Sequence, residues 1–197
     1  MNYGEIKHNI ISLGFAEESD YLEYEELGYT YDAINRAMDV IRGKFPYIST
    51  YEFEIDEDET DFINIDLNTL PGFLQLAKDT PVMFEKDGKD MFQDFGDYKI
   101  KSGHRISIDP AGHAGSIRIY YNRECTRVDE NTEDTFVPEL PLKVHHLIPL
   151  LASYYLWLDD DVAKASQYYN MYETEESVVL QDDLKPSMGI VTEWGGI

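Results

Sequence analysis

The feature that most constrains this chain is a change of hydrophobic period, from about 3.6 near both ends to two in the middle. A helix brings every third or fourth side chain to one face, whereas a strand sends alternate side chains to opposite faces, so the pattern fixes the element type. Near the start, Ile6, Ile10 and Leu13 fall at helical spacing and Gly14 is a natural stop. A second helix has Thr30 as N-cap and an apolar stripe of Ile34, Ala37, Met38 and Ile41, closed by Gly43 and Pro46. The acidic, tyrosine-rich stretch 17–29 between them has room for one short helix.

From about Tyr47 the period is two. Tyr51, Phe53 and Ile55 alternate with Glu52 and Glu54. Ile63, Ile65 and Leu67 alternate with Asn64 and Asp66, and Ile117, Ile119 and Tyr121 with Arg118 and Tyr120. Each run predicts a strand with one buried face. Further strands are expected at 81–84, 98–101 and 105–108. The turn chemistry of 109–115 (DPAGHAG) predicts an antiparallel hairpin between the strands on either side. Several short strands so close together suggest a small β-sandwich or barrel.

Past Pro138 and Pro141 the helical period returns. Segment 142–158 is apolar nearly all round, which predicts a buried helix, kinked at Pro149 unless the helix starts later. Asp159–Asp161 breaks the run and caps a last helix carrying Ala165, Tyr168, Tyr169, Tyr172, Glu176 and Val179. The expected fold class is therefore α+β: a helical bundle from both chain ends (1–47 plus 138–181), an inserted antiparallel β-sandwich or barrel-like domain (48–137), and an extended C-terminal tail (182–197).

Lys and Arg number 16 against 39 Asp and Glu, a net charge of −23. Such a surface repels nucleic-acid phosphates and anionic membranes, which argues against nonspecific DNA binding and membrane docking. It reads either as a solubilising surface or as one that DNA must pass without adhering. The single cysteine, Cys125, forms no intrachain disulfide, so no oxidising compartment is implied. The start of the chain does not resemble a signal peptide, and the longest apolar run, 147–158, is short for a membrane span. The expectation is a protein made in the cytoplasm.

Motifs for chemistry are sparse. No Walker-type or dinucleotide-type glycine loop occurs. The acidic run 56–61 fails the EF-hand pattern, because positions 61 and 67 hold Asp61 and Leu67 where Gly and Glu are needed; a solvated turn is the favoured reading. His145 and His146 are neighbours in an expected helix and face different ways, and His8, His104 and His113 show no zinc-ligand spacing. Cys125 as a nucleophile would need a base nearby, with His104 or His113 the candidates, but a half-buried cysteine at a strand end is ordinary. With 39 acids, no carboxylate pair stands out as glycosidase machinery. No catalytic residue, cofactor site or metal site is assigned.

Aromatic residues carry more information. Tyr154, Tyr155, Trp157, Tyr168, Tyr169 and Tyr172 crowd the last two helices. They serve either as core with their hydroxyls at its edge or as contacts to neighbouring subunits, since aromatics are enriched at interfaces. Ile190, Val191, Trp194 and Ile197 are apolar residues in a segment with no core of its own, which suggests docking on another chain.

The stretch from Glu139 to Glu173 resembles the C-terminal helical hairpin of head–tail adaptor (connector) proteins of tailed bacteriophages. The matching residues are Leu140, Pro141, His146, Leu147, Ile148, Pro149, Leu150, Ala152, the acidic break Asp159–Asp161, Ala165, Tyr169 and Tyr172. The N-terminal helix pair is similar to the family's other half-bundle, and the β-insert to that of longer adaptors. The resemblance implies a structural protein of the virion, with no catalysis, forming a ring that is commonly dodecameric. It also implies portal protein and a tail or stopper protein as partners, with genomic DNA passing through without specific binding. Another neck or tail-completion protein, or a carbohydrate-binding β-module, is the alternative; a small acidic hydrolase is the third reading.

Overall fold

The computed structural model describes residues 1–14, 24–25, 28–86, 91–102 and 104–184. The chain is α+β, and it divides into two compact units. One comprises Met1–Ile41, Val128–Pro138 and Leu142–Ile197; the other comprises Arg42–Arg127 and Glu139–Pro141. No described helix is long and apolar enough to cross a membrane.

The first unit holds α1 (Tyr3–Gly14), most of α2 (Tyr29–Lys44), α3 (Leu147–Trp157) and α4 (Val162–Leu184). Asn2 and Glu5 start α1 reciprocally. The Asn2 side chain accepts from the Glu5 amide at 2.8 Å, and the Glu5 carboxylate accepts from the Asn2 amide at 2.9 Å, satisfying two donors that a helix start leaves open. Tyr3, Ile6 and Ile10 form its buried stripe. In α2 the expected stripe of Ile34, Ala37, Met38 and Ile41 is buried. Thr30, however, lies inside the first turn and is not its cap; the helix begins at Tyr29, and Gly28, at φ +76°, supplies the turn before it.

The expected continuous helix over 142–158 is in two pieces. A 3-10 turn spans Leu142–Val144, His145 and His146 form a further turn, and α3 proper starts at Leu147. Pro149 thus falls in the first turn of α3, where its missing N–H would have had no intrahelical partner. His145 and His146 precede the helix; His145 is buried, and His146 lies 3.8 Å from Glu175. α3 packs against both α1 and α4. Asp161 caps α4 by accepting from the Lys164 amide at 3.0 Å. α4 runs on to Leu184, past the point where a tail was expected to begin.

Among the described residues the second unit holds eight strands: β1 (Ile48–Ile55), β2 (Ile63–Asp66), β3 (Phe73–Leu76), β4 (Val82–Lys86), β5 (Gln93–Asp94), β6 (Tyr98–Lys101), β7 (Arg105–Ile108) and β8 (Gly115–Arg123). β8 is the spine of a five-stranded antiparallel sheet. β1 lies along one side of it, and β4 and then β3 along the other, with β5 beyond β4. A second antiparallel sheet has the order β2-β7-β6. Neither sheet closes into a barrel. Ile117, Ile119 and Phe84 from the first sheet and Ile106 and Ile108 from the second join Leu67, Leu70 and Phe95 in one apolar core. Burying each such side chain contributes roughly 1.5–3 kcal/mol.

Two expectations are corrected here. The turn at 109–115 does not close a hairpin, because β7 pairs with β6 and β2 whereas β8 pairs with β1, β3 and β4. The segment carries the chain from one sheet to the other. Asp109 accepts from the Ala111 amide at 3.1 Å, and Gly112 and Gly115 take φ of +82° and +140°, conformations open to glycine. The β-insert was also expected to reach residue 137, but Val128–Pro138 groups with the helices. Asn35 donates to the Val128 carbonyl and accepts from the Val128 amide, both at 2.9 Å in a buried setting, and the Tyr3 amide donates to the Phe136 carbonyl at 2.7 Å.

Replacing Asn35 with Ala leaves both backbone groups of buried Val128 without these partners. Asn35→Ala is expected to cost about 2–3 kcal/mol, read as a lower urea midpoint, whereas a change at exposed Asn131 stays within roughly 0.5 kcal/mol.

Candidate functional site

The aromatic residues of α3 and α4 sort into two sets. Tyr168 and Tyr172 are buried within the helical unit, Tyr172 to 1 % exposure. Tyr154, Tyr155, Trp157 and Tyr169 reach its surface in part, with Tyr169 at 37 % exposure. Four tyrosine rings touch in series: Tyr155 to Tyr154 at 4.9 Å, Tyr154 to Tyr169 at 5.0 Å and Tyr169 to Tyr172 at 6.0 Å between centroids. Arg36 of α2 lies 4.2 Å above the Tyr155 ring. Of the six residues expected at subunit interfaces, Tyr168 and Tyr172 therefore serve the core. The helix wheel explains the division: Ala165, Tyr168, Tyr172, Glu176 and Val179 follow a 3-4 spacing toward α3, and Tyr169 sits one position off it.

The C-terminal end of α1 is held by side chains from α4. The Tyr168 hydroxyl donates to the Leu13 carbonyl, and the Lys164 ammonium donates to the Gly14 carbonyl while lying 3.4 Å from the Trp157 ring centroid. A cation there also offsets the partial negative charge of the helix end. Gly14 is required by space: a Cβ on it would lie 2.8 Å from Trp157 Nε1.

A groove of about 580 Å³ runs between α1, α3 and α4, floored by Leu13, Pro149, Leu150 and Met171 and edged by Asn9, Asn170 and Thr174. A second hollow of about 440 Å³ is bounded by Tyr24, Tyr29, Asp32, Arg36, Tyr155 and Asp160, with the Tyr24 hydroxyl donating to Asp160. α4 is 23 residues long and α3 only 11. At about 1.5 Å per residue, α4 outruns its partner by roughly 18 Å. Val162, Tyr169, Met171, Val178 and Leu180 are exposed along it.

The residues weighed for chemistry are placed as follows. The Cys125 thiol is partly buried and donates to the Glu139 carbonyl at 3.2 Å. Glu139 in turn accepts from the amide and hydroxyl of Thr126 and lies 3.3 Å from Arg123, so this corner is a clasp on the exit of β8. His113 is 2.9 Å from Asp97 and packs edge-on against Phe84 and Phe95. The acidic run 56–61 forms an exposed turn, closed by the Glu59 amide donating to the Asp56 carbonyl at 3.1 Å. Among the described residues, no group of three or more His, Cys, Asp or Glu is placed to hold a metal ion. Ile190, Val191, Trp194 and Ile197 lie outside the described residues. The sequence matches no protein-family model and no curated protein.

Burial pushes the Tyr172 hydroxyl well above its ordinary pKa, and its hydrogen bond to the Glu176 carboxylate adds to this; burial alone raises Tyr168. Both groups stay neutral in the folded chain at a pH where the unfolded chain ionises. Their contribution is complete below about pH 10 and is lost progressively above it. Stability is thus expected to fall from pH 10 to 12, with a shallower slope in Tyr172→Phe, measured by urea unfolding across that range. Gly14→Ala is expected to cost about 1–3 kcal/mol and to alter the near-ultraviolet signal of Trp157, because the α1–α3 approach must widen.

Proposed function

We propose that this chain is a structural, non-catalytic adaptor that assembles into a ring at the head–tail junction of a tailed bacteriophage virion. The observation that carries the reading is α4. It extends past the helix that covers it and leaves Tyr169, Met171, Val178 and Leu180 exposed, beside the partly exposed Tyr154 and Tyr155. Aromatic and Met side chains at a surface are the compositional mark of protein interfaces. The groove between α1, α3 and α4 gives a neighbour a concave apolar seat.

The charge fits the same role. With 39 acids against 16 bases, a ring of such subunits presents carboxylates to DNA in its lumen, and a phosphate backbone gains no lasting cationic partner there. DNA then passes without being held. In this reading the helical unit is a bundle that builds the ring wall. The β-unit is a two-layer sandwich, and the segment bearing Ile190, Val191, Trp194 and Ile197 docks on the portal, with a tail or stopper protein on the opposite side. The likeness of the hairpin sequence to phage adaptors supports this assignment.

The test is assembly. The purified chain, alone and mixed with the portal protein of the same phage, is examined by native mass spectrometry and negative-stain electron microscopy. Rings, commonly of twelve copies, are expected on the portal, and removal of 185–197 is expected to abolish portal binding while leaving the circular-dichroism spectrum unchanged. A chain that stays monomeric with portal present, or a truncated chain that binds portal fully, overturns the reading.

A further inference from the structure

Two strands of the second unit lie at open sheet edges and carry opposite charge at matching spacing. β1 ends one sheet and β6 ends the other, and among the described residues no strand pairs with the outer side of either. β1 presents Glu52 and Glu54 on one face and Phe53 and Ile55 on the other. β6 alternates Lys99 and Lys101 with Tyr98 and Ile100, and Ile100 is 52 % exposed. Two lysines at alternate positions of a four-residue strand are conspicuous in a chain where acids exceed bases by more than two to one. The Lys99 side chain has no ion-pair or hydrogen-bond partner among the described residues. Lys101 reaches only neutral groups, Ser107 at 3.2 Å and Asn64 at 3.5 Å. On β1, Arg118 engages Oε2 of Glu52 through both of its bonds.

We propose that the open edge of β1 pairs with the open edge of β6 on a second copy of this chain, joining acidic and basic strands into a continuous intermolecular sheet. β1 turns the backbone groups of Glu52 and Glu54 outward and β6 those of Tyr98 and Ile100, so in the parallel register that sets Lys99 opposite Glu52, Lys101 falls opposite Glu54 and both edges can bond. The other face then brings Ile100 beside Phe53 and Tyr98 beside Tyr51. Both faces match in this register, and a slip of one residue would set lysines against apolar side chains. Unpaired backbone groups on the two edges gain partners at the same time. Lysine on an edge strand discourages pairing with a like-charged edge, and the same charge selects a glutamate-bearing one.

The two edges are different patches of one molecule, so the contact is head-to-tail. Each copy offers one edge of each kind, and such a contact propagates until it closes into a ring. The inference rests on the ring-forming role proposed above and supplies its subunit contact.

The experiment uses full-length protein and sedimentation velocity across a concentration series. Lys99→Glu with Lys101→Glu, and separately Glu52→Lys with Glu54→Lys, place like charges across the contact. Each pair is expected to raise the concentration at half-assembly by at least about tenfold. An equimolar mixture of the two variants is expected to reassemble, because every acidic edge again meets a basic one. Lys99→Glu alone disturbs no internal contact and is expected to shift assembly in the same direction by about threefold, which guards against misfolding in the Glu52 variant. If the wild type forms rings and these variants assemble unchanged, or if the mixture fails to reassemble, the edge pairing is wrong and the ring role stands. If the wild type does not assemble even on portal, both fall.

Discussion

α3 is apolar nearly all round, and a helix of that kind is stable only when neighbours cover each of its faces. Leu147, Ile148, Leu150, Leu151 and Leu156 are all buried, as are the small Ala152 and Ser153 between them. α1 covers one side and α4 another. The approach of α1 is close enough that Gly14 cannot carry a side chain beside Trp157. Tyr168 and Lys164 then tie the end of α1 by donating to its last carbonyls. The polar ends of the unit are thus arranged around one apolar helix.

In the second unit the comparable element is β8. It is nine residues long, and its alternate residues Ile117, Ile119 and Tyr121 all face the core. β1 occupies one side for eight pairs, and β4 and β3 divide the other. With both of its edges taken, β8 has no place for β7, which pairs in a separate sheet, and the chain crosses between sheets through Gly112 and Gly115. The same arrangement leaves β1 and β6 as edges. An open edge is a liability unless it is guarded or paired, and charge does either depending on what approaches.

Function in this reading comes from what each unit leaves exposed. The helical unit consumes Tyr168 and Tyr172 in its interior and leaves Tyr169, Met171, Val178 and Leu180 outward. The β-unit consumes its isoleucines and leaves two backbone edges of opposite charge. Neither remainder calls for a small molecule; both suit another protein chain. A net charge of −23 then keeps such subunits from associating indiscriminately, so that the few lysines placed at an edge carry the selectivity.

The sequence by itself determined element type wherever a period was sustained. The stripe of Ile34, Ala37, Met38 and Ile41, the alternation in β1 and β8, and the Asp161 cap follow from residue spacing, because burial on one face is a local property of a helix or strand. Strands without alternation were not legible: β3 (FLQL) and β5 exist because β8 and β4 offer them hydrogen bonds, and β3 needs an irregularity between Phe73 and Gln75 to fit. Only the tertiary structure decided that 109–115 crosses between sheets and that Asn35 draws Val128 into the helical unit. Each of these depends on which partner a group finds at long sequence separation, and that choice is made by packing the whole core at once, not by any window of the chain.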